Sequence, residues 1–101
     1  MVNLFPVAAA TLGSNGEQIT DFYALQRAGA IAFTDDGKPV LDDKLMRETL
    51  SLAARLKVPV IQHAEDTRLT ASATMNDGPM AFRLGLRGMP AEAESRIVER
   101  D

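Results

Sequence analysis

The chain has one histidine, fourteen acidic side chains and no cysteine, so metal binding by side chains of ordinary ligand type rests on carboxylates and a single imidazole. Two polar clusters stand out by position. Thr34-Asp35-Asp36-Gly37 and His63-Ala64-Glu65-Asp66 each follow an apolar run directly. Carboxylate and imidazole at neighbouring strand ends are what a hydrolytic metal centre needs, because both bind Zn²⁺ and the ion brings the pKa of a bound water to about 7. The same residues have plainer uses. Asp35-Asp36-Gly37 also reads as an Asx-type turn. His63 also reads as a satisfied histidine at a strand end. Glu65 and Asp66 look more like loop and helix-cap residues than ligands. One histidine without cysteine does not complete a zinc site of ordinary type from a single copy of the chain, and it leaves no thiolate nucleophile and no disulfide framework.

The elements that would hold these clusters can be read from hydrophobic spacing. Three short apolar runs, Asn3 to Thr11, Ala30 to Thr34 and Val58 to Gln62, alternate with two helical patterns. In the first pattern Ile19, Phe22, Tyr23 and Leu25 recur at helical spacing. Ser14-Asn15-Gly16 is suited to capping that helix, and Gly29 to stopping it. The second is a core-facing stripe of Leu45, Met46, Thr49, Leu52, Ala53 and Leu56, capped by Asp42 or Asp43, with Lys57 near its C-terminal end where the dipole favours a cation. From Thr67 to Met89 no strong period is visible, and the segment reads as a long loop leaving the strand end that carries His63. Arg68, Arg83 and Arg87 give it basic character, which suits either an anionic ligand or ordinary solvation. Pro90 suits the first position of a last helix with Ala93 and Ile97 on its face.

Strands beginning near residues 3, 30 and 58 repeat every 27 to 28 residues. A (β/α)₈ barrel of about 250 residues uses about 31 per unit. Strands separated by helices imply right-handed crossovers and a parallel sheet, hence an α/β fold. In such folds the functional edge is the C-terminal end of the strands, where both clusters fall. A strand starting almost at Met1 and a helix running to Asp101 imply a piece of a larger α/β protein.

Composition narrows the class. Of 101 residues, 46% are hydrophobic and 25% charged, which argues against disorder. The net charge of −3 disfavours a nucleic-acid or anionic-membrane partner. No apolar run is long enough to span a membrane, and the N-terminus has no basic region of the kind a signal peptide carries, so a cytoplasmic location is expected.

Several ordered motifs together resemble one family. Ala32-Phe33-Thr34-Asp35-Asp36-Gly37 followed by His63-Ala64-Glu65-Asp66 is similar to the dihydroorotases of the long bacterial type, in the amidohydrolase superfamily. Phe22-Tyr23-Ala24-Leu25 with Ala28-Gly29-Ala30 resembles the helix before the first of these motifs. Arg83-Leu84-Gly85-Leu86-Arg87-Gly88-Met89-Pro90, Ala93-Glu94-Ser95 and Arg100-Asp101 resemble the segment leading to the next helix.

The resemblance implies a distorted (β/α)₈ TIM-type barrel with a zinc centre of one or two ions at its top. Residues 1–101 would form an incomplete part of it, strands three to five as three consecutive βα units. It implies reversible cyclisation of N-carbamoyl-L-aspartate to dihydroorotate in pyrimidine biosynthesis, with a metal-activated water attacking the ring amide in the hydrolytic direction. In the family pattern the second Asp of Asp-Asp-Gly and the His of His-x-Glu-Asp are ligands, which gives Asp36 and His63 the metal-binding roles. Strand alternation alone says that only one of Asp35 and Asp36 points into the site. Lys38 lies two residues too late to serve as the carboxylated lysine that some relatives use. Ala64 stands where many relatives have Cys, at a non-ligand position. The family's His-x-His pair, its later His, its catalytic Asp and its substrate-binding Arg and Asn all belong to stretches outside this match, so no catalytic residue is assigned here.

The expected partners are a small-molecule substrate and the rest of the barrel. Two other readings compete with an internal part of an active enzyme. One is part of a non-catalytic dihydroorotase-like scaffold subunit of aspartate carbamoyltransferase, and the other is a small α/β binding module. Retention of Asp36 and His63 favours the first reading, since a subunit without a metal needs neither.

Overall fold

Asp21 and Asp42 begin the two helices that flank the central sheet. Asp21 Oδ1 accepts the Ala24 N–H at 2.9 Å and opens α1 (Phe22–Arg27), and Asp42 Oδ1 accepts the Leu45 N–H at 2.7 Å and opens α2 (Asp43–Leu56). Each cap satisfies a backbone donor that the first helical turn would leave without a partner. The computed structural model describes residues 1–101 and divides them into two compact units, Met1–His63 and Ala64–Asp101.

In the first unit, strands β1 (Val7–Ala9), β2 (Ala32–Thr34) and β3 (Val60–Ile61) form a parallel sheet in the order β1-β2-β3, with α1 and α2 as the crossovers. The registers are Val7 with Ala32 and Thr34 with both Ala9 and Ile61. The strands are shorter than the apolar runs, and prolines sit where they begin. Pro6 and Pro59 have no N–H to give, but their carbonyls accept from Ile31 N and Phe33 N at 3.0 and 3.1 Å. The core joins Ala10, Phe22, Ala30, Phe33 and Ala53, and the rings of Phe22 and Phe33 stack with centroids 3.7 Å apart. The α2 stripe faces inward as its spacing requires: Met46, Thr49 and Ala53 are buried, while Leu45, Leu52 and Leu56 are half-buried.

The helix start is one correction to the sequence reading. Ser14-Asn15-Gly16 does not cap α1. It belongs to a tight loop after β1 that opens with a 3₁₀ turn (Leu12–Ser14) and has positive φ at Gly13, Ser14 and Gly16. Asp21, nearer the apolar stripe, takes the capping role. Gly29, at φ 111°, follows the end of α1, and its N–H donates to Gln26 O. Lys57 occupies the left-handed C-cap of α2.

The second unit corrects another expectation. Residues 67–89, expected as a long loop, hold α3 (Thr67–Thr70), β4 (Met75–Asn76), α4 (Pro79–Leu84) and β5 (Gly88–Met89), with β4 and β5 paired in parallel. Elements of two to six residues are too short to imprint a period on the sequence. The last helix, α5 (Glu92–Arg100), starts two residues after Pro90 and buries Ala93 and Ile97. The fold is therefore α/β with parallel strands alternating with helices. No helix is long and apolar enough to cross a membrane.

Candidate metal centre

The β2–β3 register sets the geometry. Thr34 pairs with Ile61, so Asp36 and His63 each lie two residues beyond the same register pair, past the C-terminal ends of adjacent parallel strands. Adjacent strands lie about 4.8 Å apart, and both residues lie in the connections that follow these two strands. Both residues are exposed.

The two aspartates have different surroundings. Asp35 is buried, only 3% exposed. Its Oδ1 accepts the Thr11 N–H at 2.8 Å, and its Oδ2 accepts the Thr11 hydroxyl. Asp36 is exposed and sits at φ 58°, in the left-handed region that a non-glycine residue rarely adopts. Its N–H donates to Thr34 Oγ1 at 3.0 Å, and the Lys38 N–H donates to Asp35 O at 3.2 Å, which closes a turn around it. The turn expected at Asp35-Asp36-Gly37 is present, and it leaves one carboxylate committed to Thr11 and the other open to solvent.

Two neighbours went unread in the sequence. Thr11, after β1, anchors Asp35, and its hydroxyl also accepts the Gly16 N–H at 2.8 Å. Gln62, next to His63, holds the far end of the loop after β2. Its Oε1 accepts from Val40 N at 3.4 Å, and its Nε2 donates to Val40 O at 3.5 Å. The loop from Asp35 to Val40 is therefore tied to the β1 side at one end and the β3 side at the other. A polar residue inside an apolar run was the only sequence signal for Gln62, and nothing local marked Thr11.

The donor set fits a hard or borderline cation in chemistry, with one carboxylate oxygen and one imidazole nitrogen, but it does not close around one. No group of three His, Cys, Asp or Glu side chains is placed to hold a metal ion. Asp36 and His63 offer two donors of the types that zinc accepts, and two alone do not make a site.

In the second unit, Asp66 has a structural task. It is the N-cap of α3, its N–H donates to Ala93 O at 2.7 Å, and its carboxylate takes two bonds from the Arg68 guanidinium, at 2.7 and 2.8 Å. Arg96 lies 3.8 Å away. The hydrogen bond from Arg68 holds the Asp66 carboxyl below its ordinary 3.8 against the opposing effect of burial, helped by the Arg68 backbone N–H and the charges of Arg68 and Arg96. Glu65 accepts from the Thr70 hydroxyl. Arg68 is therefore paired within its own unit, while Arg83 and Arg87 are exposed.

Comparison with known proteins gives one consistent result. A family model described as dihydro-orotase-like matches residues 1–101. Dihydroorotase of Endomicrobium trichonymphae is 43% identical over 101 residues, covering all of this chain and 24% of its own length. The dihydroorotases of Bacillus caldolyticus and Pelotomaculum thermopropionicum are 46% and 45% identical over 100 residues, 99% of this chain and 23% of theirs. The chain spans about a quarter of the length of the curated relatives it matches.

Proposed function

The chain belongs to the dihydroorotase-like family, and on that premise we propose that it forms strands three to five of a (β/α)₈ barrel that interconverts N-carbamoyl-L-aspartate and dihydroorotate. Asp36 and His63 are its contributions to a zinc site completed by other parts of the barrel. The observation that carries this reading is the parallel β2–β3 register, which sets an exposed carboxylate and an exposed imidazole equally far past two adjacent strand ends. Asp36 supplies an anionic oxygen, and His63 supplies a nitrogen that binds metal only as neutral imidazole. Zinc, when bound, supplies Lewis acidity toward the amide carbonyl of the substrate. The turn around Asp36 and the Gln62–Val40 bonds fix the backbone from which these two ligands project. The partners under this reading are a small-molecule substrate and the remaining βα units of the barrel.

The test is metal analysis of variants in the full-length protein. Asp36→Ala and His63→Ala are expected to lose zinc and activity together, and Asp35→Ala is expected to reduce metal content less. Were Asp36 only a turn residue, Asp36→Ala would cost about 1 kcal/mol of stability, because alanine tolerates the left-handed φ of 58° less well than aspartate, and would leave zinc occupancy full. That outcome rejects the assignment.

A further inference from the structure

We propose that Asp35 and Thr11 form a clamp that positions Asp36 for metal binding, a role that rests on the zinc-ligand reading of Asp36. Asp35 is a positioning residue in this arrangement, acting through the backbone of its neighbour.

The first ground is the cost of the arrangement. A buried polar side chain is costly unless it is hydrogen-bonded. The partners of Asp35 are two neutral donors on one residue, the Thr11 N–H and hydroxyl. Both side-chain oxygens are thus spent on one residue 24 positions away, which fixes where the turn sits. The second ground is what the clamp fixes. Asp36 adopts a left-handed φ of 58°, a conformation that residues with a side chain seldom take and that needs support from its surroundings. Three constraints meet there: Thr34 Oγ1 on the Asp36 N–H, Asp35 O on the Lys38 N–H, and the Asp35 carboxylate on Thr11. Only the last ties this turn to the loop after β1.

The anchor is itself firmly held. Thr11 is fully buried, its hydroxyl accepts from Gly16 N, it bridges to Ile19, and the adjacent Leu12 N–H donates to Gln18 O at 2.8 Å. The loop after β1 thus serves as a rigid post for the turn after β2. With the Asp35 side chain drawn into that post, the next residue is left to project into solvent at the strand end.

The experiment uses Asp35→Asn, Thr11→Val and Thr11→Ser in the full-length protein. It measures zinc affinity by competition with a chromophoric chelator, the visible absorption of the cobalt(II)-substituted protein, and the melting temperature of the metal-free protein. Asp35→Asn and Thr11→Val are expected to bind zinc about 10- to 100-fold more weakly, the size of effect typical of residues that orient a ligand, and to alter the cobalt spectrum. Thr11→Ser keeps the hydroxyl and is expected to match the wild type in both. A clamp that only supports the fold would lower the melting temperature and leave affinity and spectrum at wild type, which overturns the proposal. Asp36→Ala separates the two levels of inference. If it retains wild-type zinc affinity, the ligand reading fails and the clamp falls with it. If it loses zinc while Asp35→Asn and Thr11→Val keep wild-type affinity and spectrum, the clamp alone fails. Should Thr11→Val not fold, Asp35→Asn against Thr11→Ser decides.

Discussion

Among the acidic side chains, Asp66 is committed by its partners to structure and not to a ligand. It caps α3, and its carboxylate is 2% exposed under the fork of Arg68, which is itself 64% exposed. Because the folded carboxyl titrates below its ordinary 3.8, the group stabilises the folded state above that pH. The contribution is lost as pH falls through the lower, folded value. Residues 64–101 are therefore expected to loosen in acid below about pH 3.8, and the exposure of Arg68 makes the effect weaker in high salt. Asp66→Asn should lower stability at neutral pH and flatten this part of the acid profile. Hydrogen exchange in α3 and α5 against pH checks it, and an unchanged profile in Asp66→Asn would refute the role. The sequence reading already set Asp66 among loop and helix-cap residues, though not the helix it caps. It did not separate Asp35 from Asp36. Alternation on a strand says that neighbours face opposite ways, but the residue that decides which one is committed, Thr11, lies 24 positions away and has no local signature.

Elements long enough to show a period were legible, and shorter ones were not. The 14 residues of α2 gave a stripe whose inward faces the structure repeats. The apolar runs located the strands but overstated their length, and the outer strands carry exposed apolar side chains: Val7 is 43% exposed and Ile61 54%. Only β2, with Ala32 and Phe33 buried, is covered on both sides. Residues 67–89 defeated periodicity because their order comes from pairing between β4 and β5 and not from any one run. The glycine between Arg87 and Met89 carries a physical reason that the motif alone did not state. A Cβ on Gly88 would lie 2.3 Å from the Asp77 Cα, a backbone atom that has no room to yield. Gly88→Ala is expected to force β4 and β5 apart and to destabilise residues 64–101 by about 1–3 kcal/mol, the usual cost of overpacking. The Thr74 and Asp77 amides, which donate to Arg87 O and Met89 O, should lose exchange protection first. Unchanged protection at both would show that the strand separates elsewhere.

At the scale of the whole molecule, sheet order and chain coverage point the same way. The order β1-β2-β3 leaves both outer strands with an open edge, and parallel strands are normally covered on both faces and continued on both sides. Relatives four times as long supply enough chain to continue them. Alone, residues 1–101 present two unpaired edges beside exposed apolar side chains, Val7, Ile31 and Ile61, and such edges recruit other chains. The same residues bring at most two metal ligands, too few to hold a catalytic ion against water. The isolated 101-residue chain is therefore expected to associate with rising concentration in sedimentation velocity, to protect β2 more than β1 or β3 from hydrogen exchange, and to show no dihydroorotase turnover above a zinc-only control. Within a complete barrel β1 and β3 gain neighbours, so their amides should become as protected as those of β2. A monodisperse monomer with equal, strong protection in all three strands would mean that the sheet needs no further neighbours. That outcome would favour an independent α/β binding module over part of a barrel, and turnover by the isolated chain would overturn the two-ligand argument directly.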